Sequence, residues 1–365
     1  MGWPRIAFRA SLFLAMVAIC IARKVPACFV FGDSLVDSGN NNYLVSLAKA
    51  NYNPNGIDFG GPTGRFTNGR TVADILDEEL GFEGYTPPYL APTTVWPVIQ
   101  EGVNYGSGAS GILKSTGTMF GGRIYFGAQI DNFAGTRQEI ISHIGEPAAL
   151  ELLGQSLFSV TIGSNDLINN YLLPVVSVVE QVLVSPEVFI DSMISSYMLQ
   201  LTCCLQRLYD MGARKILVVN MGPIGCIPFE RDTDSASGNS CADRPNQMAR
   251  MFNVRLEDLV SQLRSTLQGS IIVYADVYRT VVDVIENYAS YGFDNANSSC
   301  CSITGNHGGL LPCGPPSVVC SDRSKYIFWD SYHPSDAANS VIAKRLMDGG
   351  PDDIRPMNIR QLADL

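Results

Sequence analysis

The sequence predicts an α/β fold: a three-layer α/β/α sandwich with about five parallel strands. Five short, nearly continuous apolar runs and the helical patterns lying between them carry this expectation. Such runs, rich in Val and Ile, suit parallel strands covered on both faces. Strand alternating with helix then places helices on either side of the sheet. The 365 residues, 46% apolar and 16% charged, can bury a large core and match neither a disordered chain nor a coiled coil. No internal repeat or clear linker interrupts the pattern. One folded domain is expected over residues 28–348, after a leader at 1–27 and before a polar tail at 349–365.

The leader is read from charge and length. Arg5 and Arg9 precede a mostly apolar run from Ala10 to Ala22, followed by Arg23, Lys24 and the small-residue stretch Val25-Pro26-Ala27. That run is well short of the roughly 20 residues a spanning helix needs, and the pattern is that of a secretory signal peptide. Residues 1–27 carry four of the 25 basic side chains and none of the 35 acidic ones, so the net charge of −10 becomes −14 without them. An acidic surface repels phosphate backbones, so nucleic acid is not an expected partner. No later stretch is apolar enough to be expected to cross a membrane.

The strands are expected at Cys28–Phe31, weakly around Gly102–Tyr105, and at Leu157–Ile162, Lys215–Asn220 and Ser270–Ala275. The helices are expected at Val72–Leu80, Ile124–His143, Pro186–Met211, Gln247–Leu267 and Ser335–Met347, the last opening on a Ser335-Asp336 cap. Gly/Pro-rich loops at 53–70, 86–98, 222–245 and 292–323 are too long for simple connectors and are expected to build a binding surface. Nine cysteines lie outside the leader. Cys300, Cys301, Cys313 and Cys320 crowd one loop, and Cys226 and Cys241 bracket another. Disulfides suit such loops in an oxidising compartment. Zinc is disfavoured, because no CxxC pair occurs and the only nearby histidine is His307. The odd count leaves at least one thiol over, and Cys203 and Cys204 in a helical pattern read as inert buried thiols.

The first strand runs into Gly32-Asp33-Ser34-Leu35. A serine there stands where open parallel sheets place their ligands. Near the positive end of a following helical turn it would suit a developing anion. The same residues are also ordinary turn formers. A nucleophilic serine needs a base, and the chain offers only His143, His307 and His333. His143 reads as a surface residue of a helix, and His307 sits in the cysteine-rich loop. His333 follows Asp330 by three residues, close enough for one turn to aim the carboxylate at the ring; a capping Asp beside a structural His is the rival reading. For an oxyanion, the glycine-rich Asn104–Gly111 loop offers backbone N–H groups and Asn165 in Gly163-Ser164-Asn165-Asp166 offers an amide.

These segments resemble the plant secreted branch of the GDSL esterase/lipase family of SGNH hydrolases. The likeness runs through Phe31–Asn42, Gly64-Arg-Phe-Thr-Asn-Gly69, Pro87-Pro-Tyr-Leu90, Val103–Ile112, Ile162–Asp166, Asn220–Pro228 and Phe328–Pro334. The resemblance implies a flavodoxin-like sandwich and a Ser34–His333–Asp330 triad. It also implies an oxyanion hole of the Ser34 and Gly108 N–H groups with the Asn165 side chain. One departure is Gly106-Ser-Gly-Ala-Ser-Gly111, where relatives often read Ala-Ser-Gly-Gly-Ala-Gly.

Gly106-x-Gly108-x-x-Gly111 also fits a dinucleotide fingerprint, with Asp131 twenty residues on. No helix is expected directly after it, so a pyrophosphate would lack its seat. No cofactor and no metal are expected. Arg65 and Arg70 are expected to pair with the acidic surface rather than a substrate, and Asp33 and Asp37 to bond backbone within their turn. Asn297-Ser-Ser is a glycosylation sequon. The expected protein is a secreted, extracellular carboxylic ester hydrolase of the cell wall or apoplast, taking a small-molecule or polymer ester. An acyltransferase with the same triad and a catalytically silent wall or glycan binder are the other readings.

Overall fold

The computed structural model describes residues 23–172, 186–234 and 240–365. Its core is a six-stranded sheet of β1 (Cys28–Gly32), β2 (Gly102–Asn104), β3 (Leu157–Thr161), β4 (Lys215–Val219), β5 (Ile271–Ala275) and β10 (Ile354–Arg355). The order is β2-β1-β3-β4-β5-β10. The first five strands are parallel, and this is the flavodoxin-like 2-1-3-4-5 order, whose switch point lies between β1 and β3. Four short strands lie outside it: β6 (Asn295–Ser299) pairs with β9 (Tyr326–Phe328), and β7 (Cys301–Ser302) with β8 (Val318–Val319).

Alternation along the strands divides the core in two. Phe29, Phe158, Ile216 and Ile272 face helices α2 (Phe126–Ile144), α3 (Glu146–Gln155), α5 (Pro186–Asp210) and α7 (Asp243–Thr266). Leu157, Leu217 and Val273 face α1 (Val72–Glu79) and α9 (Asp336–Asp348) on the other side. Short α4 (Ser164–Leu167) follows β3, α6 (Pro228–Thr233) lies in the loop after β4, and α8 (Val277–Glu286) follows β5. The Ser335 hydroxyl accepts from Ala338 N–H as the cap of α9, and Thr71 with Asp74 forms a capping box on α1. No described helix is long and apolar enough to cross a membrane.

Both ends of the domain differ from expectation. Residues 1–22 of the expected leader lie outside the described residues, but 23–27 belong to the fold. The Lys24 N–H donates to Leu80 O, Ala27 O accepts from Leu157 N–H, and Val25 and Ala27 are buried. The expected polar tail is not a tail: β10 pairs antiparallel with β5, and α10 (Ile359–Ala363) seats Ile359 and Leu362 in the core beside Leu346. A few apolar residues among polar ones do not look like a core element in sequence, yet they cover an otherwise open sheet edge. α3 and α8 were likewise unexpected.

Leu362→Ala should cost about 2–5 kcal/mol, the usual range for a buried leucine. Urea unfolding measures this directly, and a loss below about 0.5 kcal/mol would return these residues to the status of a loose tail.

Candidate active site

β1 ends at Gly32, where a Cβ would lie 2.3 Å from Thr161 O and 2.6 Å from Val36 Cγ2. Only glycine lets the chain pass this close to β3. The Val36 and Asp37 N–H groups then both donate to Asp33 O, closing a single turn rather than a helix. The helical turn expected behind Ser34 is present and goes no further, and it offers the Ser34 N–H, which has no acceptor among the described residues.

The base arrives from the other end of the chain. After β9 a tight turn lets Asp330 Oδ1 accept from the Tyr332 and His333 N–H groups, each at 2.9 Å, and lie 2.8 Å from His333 Nδ1. The carboxylate thus selects the Nδ1–H tautomer. Nε2 is left as acceptor, 2.8 Å from Ser34 Oγ. Asp330 and His333 are buried, and the Phe66 ring lies 5.1 Å from the imidazole. The arrangement can deprotonate a serine hydroxyl and hold the resulting imidazolium. His143, exposed, stacks on Trp96, and buried His307 bonds Asp232. Neither lines the cavity around Ser34.

The expected oxyanion donors are only partly where the sequence put them. Asn165 lines the same cavity, its amide donating to Ser110 O at 3.0 Å with its second N–H left over. Gly108 does not fit its assigned role, because its N–H donates to Asp37 Oδ2 at 2.9 Å. Gly108 is needed for a different reason: a Cβ would lie 2.6 Å from Phe66 Cζ and 2.8 Å from Asn41 Nδ2. The next residue, Ala109, lines the cavity, and its N–H has no acceptor among the described residues. Ser107–Ser110 close a turn, and Ala109 stands in it at φ 61°, the left-handed region in which no other described non-glycine residue is found. That conformation costs an alanine on the order of 1 kcal/mol.

The profile of the GDSL-like lipase/acylhydrolase family matches residues 28–346, which spans all of these elements. The chain belongs to this family. GDSL esterase/lipase At4g16230 of Arabidopsis thaliana is 62% identical over 95% of this chain and 94% of its own length. GDSL esterase/lipases At3g50400 and At2g23540 of the same plant are each 46% identical, over 98% and 93% of this chain and 96% and 88% of their own lengths. The protein is accordingly a GDSL-type carboxylic ester hydrolase.

Much of what supports the site in this GDSL hydrolase escaped the sequence reading. Asp37 bonds backbone within its turn as expected, accepting from Gly39 and Asn40 N–H, but it also accepts from Gly108 N–H and so ties the serine loop to the loop after β2. Gly32 O accepts from Ser107 N–H, Ser110 Oγ and Gln129 Nε2. Asp166, beside Asn165, accepts from Ile112 and Leu113 N–H and from Thr116 Oγ1. Clusters of buried Asp, Asn and Gln are the available signal, since each needs partners.

Other expected residues stand apart from Ser34. Arg65 forms a buried double hydrogen bond with Asp74, at 2.6 and 2.8 Å, rather than a surface pair. Arg70 pairs with Asp336 and Glu78, and Asp131 with Arg207. Asn297 is half-buried in β6, its Oδ1 accepting from Ser298 Oγ. Disulfides join Cys226–Cys241, Cys300–Cys320 and Cys301–Cys313. Cys28 and Cys204 are buried free thiols, whereas Cys203, expected inside, is exposed. Among the described residues no three His, Cys, Asp or Glu side chains form a metal-sized cluster.

Burial pushes several carboxyls up: Asp33 to about 7, and Glu230, near Asp234, to about 8. Asp33 Oδ2 and Glu230 Oε1 are both buried without a hydrogen-bond partner among the described residues. A carboxyl raised on folding adds stability while protonated, and that contribution is lost as pH climbs through the folded-state value. Thermal unfolding from about pH 5 to about pH 9 should show stability declining with pH, and Glu230→Gln should flatten the decline. Equal slopes in the two proteins would show that Glu230 ionises freely.

Proposed function

We propose that this GDSL hydrolase is a secreted esterase that works through an acyl-enzyme on Ser34. The observation that carries the reading is the unbroken chain Asp330–His333–Ser34, each link 2.8 Å, at the sheet's switch point. Ser34 Oγ bonds to the ester carbonyl carbon while His333 Nε2 takes the hydroxyl proton. Asp330 keeps the ring oriented and balances its charge. Collapse of the tetrahedral intermediate breaks the bond to the alcohol oxygen, which leaves with the proton from His333. Water then attacks the acyl carbon, His333 takes a proton from it, the Oγ–acyl bond breaks, and Ser34 recovers its proton as the acid departs.

The oxyanion is assigned to the N–H groups of Ser34 and Ala109 and to the Asn165 amide. Gly108 supports them by holding the loop against Asp37. Strain at Ala109 supports this assignment, since costly backbone conformations persist where the surroundings enforce them. Three disulfides and the charged, apolar, small-residue pattern of the first residues fit export to an oxidising space such as the apoplast, with Asn297 as a glycan acceptor.

Ser34→Ala should fold and lose turnover of p-nitrophenyl esters, and retained turnover would refute the mechanism. Asn165→Ala should lower kcat about 100- to 1,000-fold. A loss of less than about fivefold would remove Asn165 from the oxyanion site. Product analysis with an added alcohol distinguishes the two chemistries: the free acid is expected, and a new ester would mark an acyltransferase.

A further inference from the structure

We propose that Asn55 and Tyr52 form a subsite for the alcohol part of the ester, so that the substrate is an ester of a polyhydroxylated alcohol. The inference rests on the ester-hydrolase reading at Ser34. Both residues line the cavity that holds Ser34, Asp330 and His333.

The donors of this pair are free. Asn55 is only 2% exposed, and its Oδ1 accepts from the Trp329 indole N–H at 2.9 Å. That bond fixes the amide, because an indole N–H only donates. The Nδ2 end is thereby turned away from Trp329, and it has no acceptor among the described residues. Tyr52 is half-buried, and its hydroxyl makes no hydrogen bond among the described residues. Burial, and after it the Asp330 carboxylate, push this hydroxyl above the usual tyrosine range, so it stays a donor. Buried polar groups are nearly always paired, and free donors at a cavity wall mark where the oxygens of a ligand can bond.

The loop carrying the pair is fastened to the catalytic turn. Trp329, which anchors Asn55, precedes Asp330, and its backbone N–H donates to His333 O at 2.8 Å. Gly56 N–H donates to Thr67 O, and Thr67 Oγ1 in turn donates to Pro334 O. Phe66, beside Thr67, lies 5.1 Å from the imidazole ring. Asn55 and Tyr52 are thus held on the side of the cavity that supplies the base.

Chemistry assigns that side to the alcohol. The oxyanion belongs to Asn165 and the loop after β2, whereas the departing alcohol oxygen takes its proton from His333 Nε2. The alcohol therefore lies against the base, next to the wall that Tyr52 and Asn55 complete. A plain alkyl alcohol would leave both donors unpaired, and hydroxyl groups beside the ester bond can accept from both. A site built to bond hydroxyls rejects the analogue lacking them, because its own polar groups are then left without partners.

The test holds the acyl group constant and varies the alcohol. It compares kcat/KM for glycerol monobutanoate and for a butanoylated methyl glucoside with that for pentyl butanoate, each followed by release of butanoic acid. At least one polyhydroxylated ester should exceed the pentyl ester by about tenfold or more, and which one does so separates an acylglycerol from a glycan ester. Tyr52→Phe, which removes a single oxygen, should lower that ratio about two- to tenfold, and Asn55→Leu should lower it further. The ratio is taken within each protein, so it does not depend on how much of a variant is folded. If neither polyhydroxylated ester exceeds the pentyl ester, or if the ratio is unchanged in Tyr52→Phe and in folded Asn55→Leu, the inference is overturned and the esterase stands. No turnover of any of these esters, nor of p-nitrophenyl butanoate, would overturn the esterase reading as well.

Discussion

The contact between the Ser34 hydroxyl and the His333 ring joins positions 299 residues apart, and most of the architecture can be understood as what makes that contact possible. Serine and histidine must reach the same edge of the sheet. A parallel sheet brings every carboxyl end to one side, and the 2-1-3-4-5 order opens a crevice where the chain leaves β1 and β3 toward opposite faces of the sheet. β1 delivers Ser34 directly. His333 comes by a longer route, through β9 and a turn stapled by three bonds to Asp330 Oδ1.

Polar groups carry the finer positioning. Asp37, Asn40, Asn41, Asn104 and Gln129 are all buried, and together they bind the serine loop to the loop after β2 through backbone atoms. Side-chain bonds to the backbone fix loops that have no regular structure of their own, and buried polar groups demand such partners. A network of this kind can hold Ala109 in a conformation an isolated alanine avoids. Ser34, Ala109 and Asn165 then line one cavity.

The repeating physics of the fold was legible in the sequence. Apolar runs marked all five parallel strands, and Ser335 marked the start of α9 to the residue. Ser34, His333 and Asp330 could be singled out because the chain has three histidines and only His333 follows an aspartate at a turn's distance. What could not be read depended on tertiary context. Ile354, Ile359 and Leu362 are apolar singly, in a polar stretch, and become a core element only because β5 would otherwise be a bare edge. Gly108 and Ala109 are neighbours with nearly the same chemistry. Which of the two N–H groups is free depends on where Asp37 lies, and that cannot be inferred from spacing.

The most direct measurement of the central claim is covalent. A fluorophosphonate reacts with a serine only when a neighbouring base activates it. Peptide mass spectrometry of the treated protein should find one adduct, on the peptide bearing Ser34, and His333→Ala should abolish it. An adduct on another serine, or equal labelling without His333, would contradict the account.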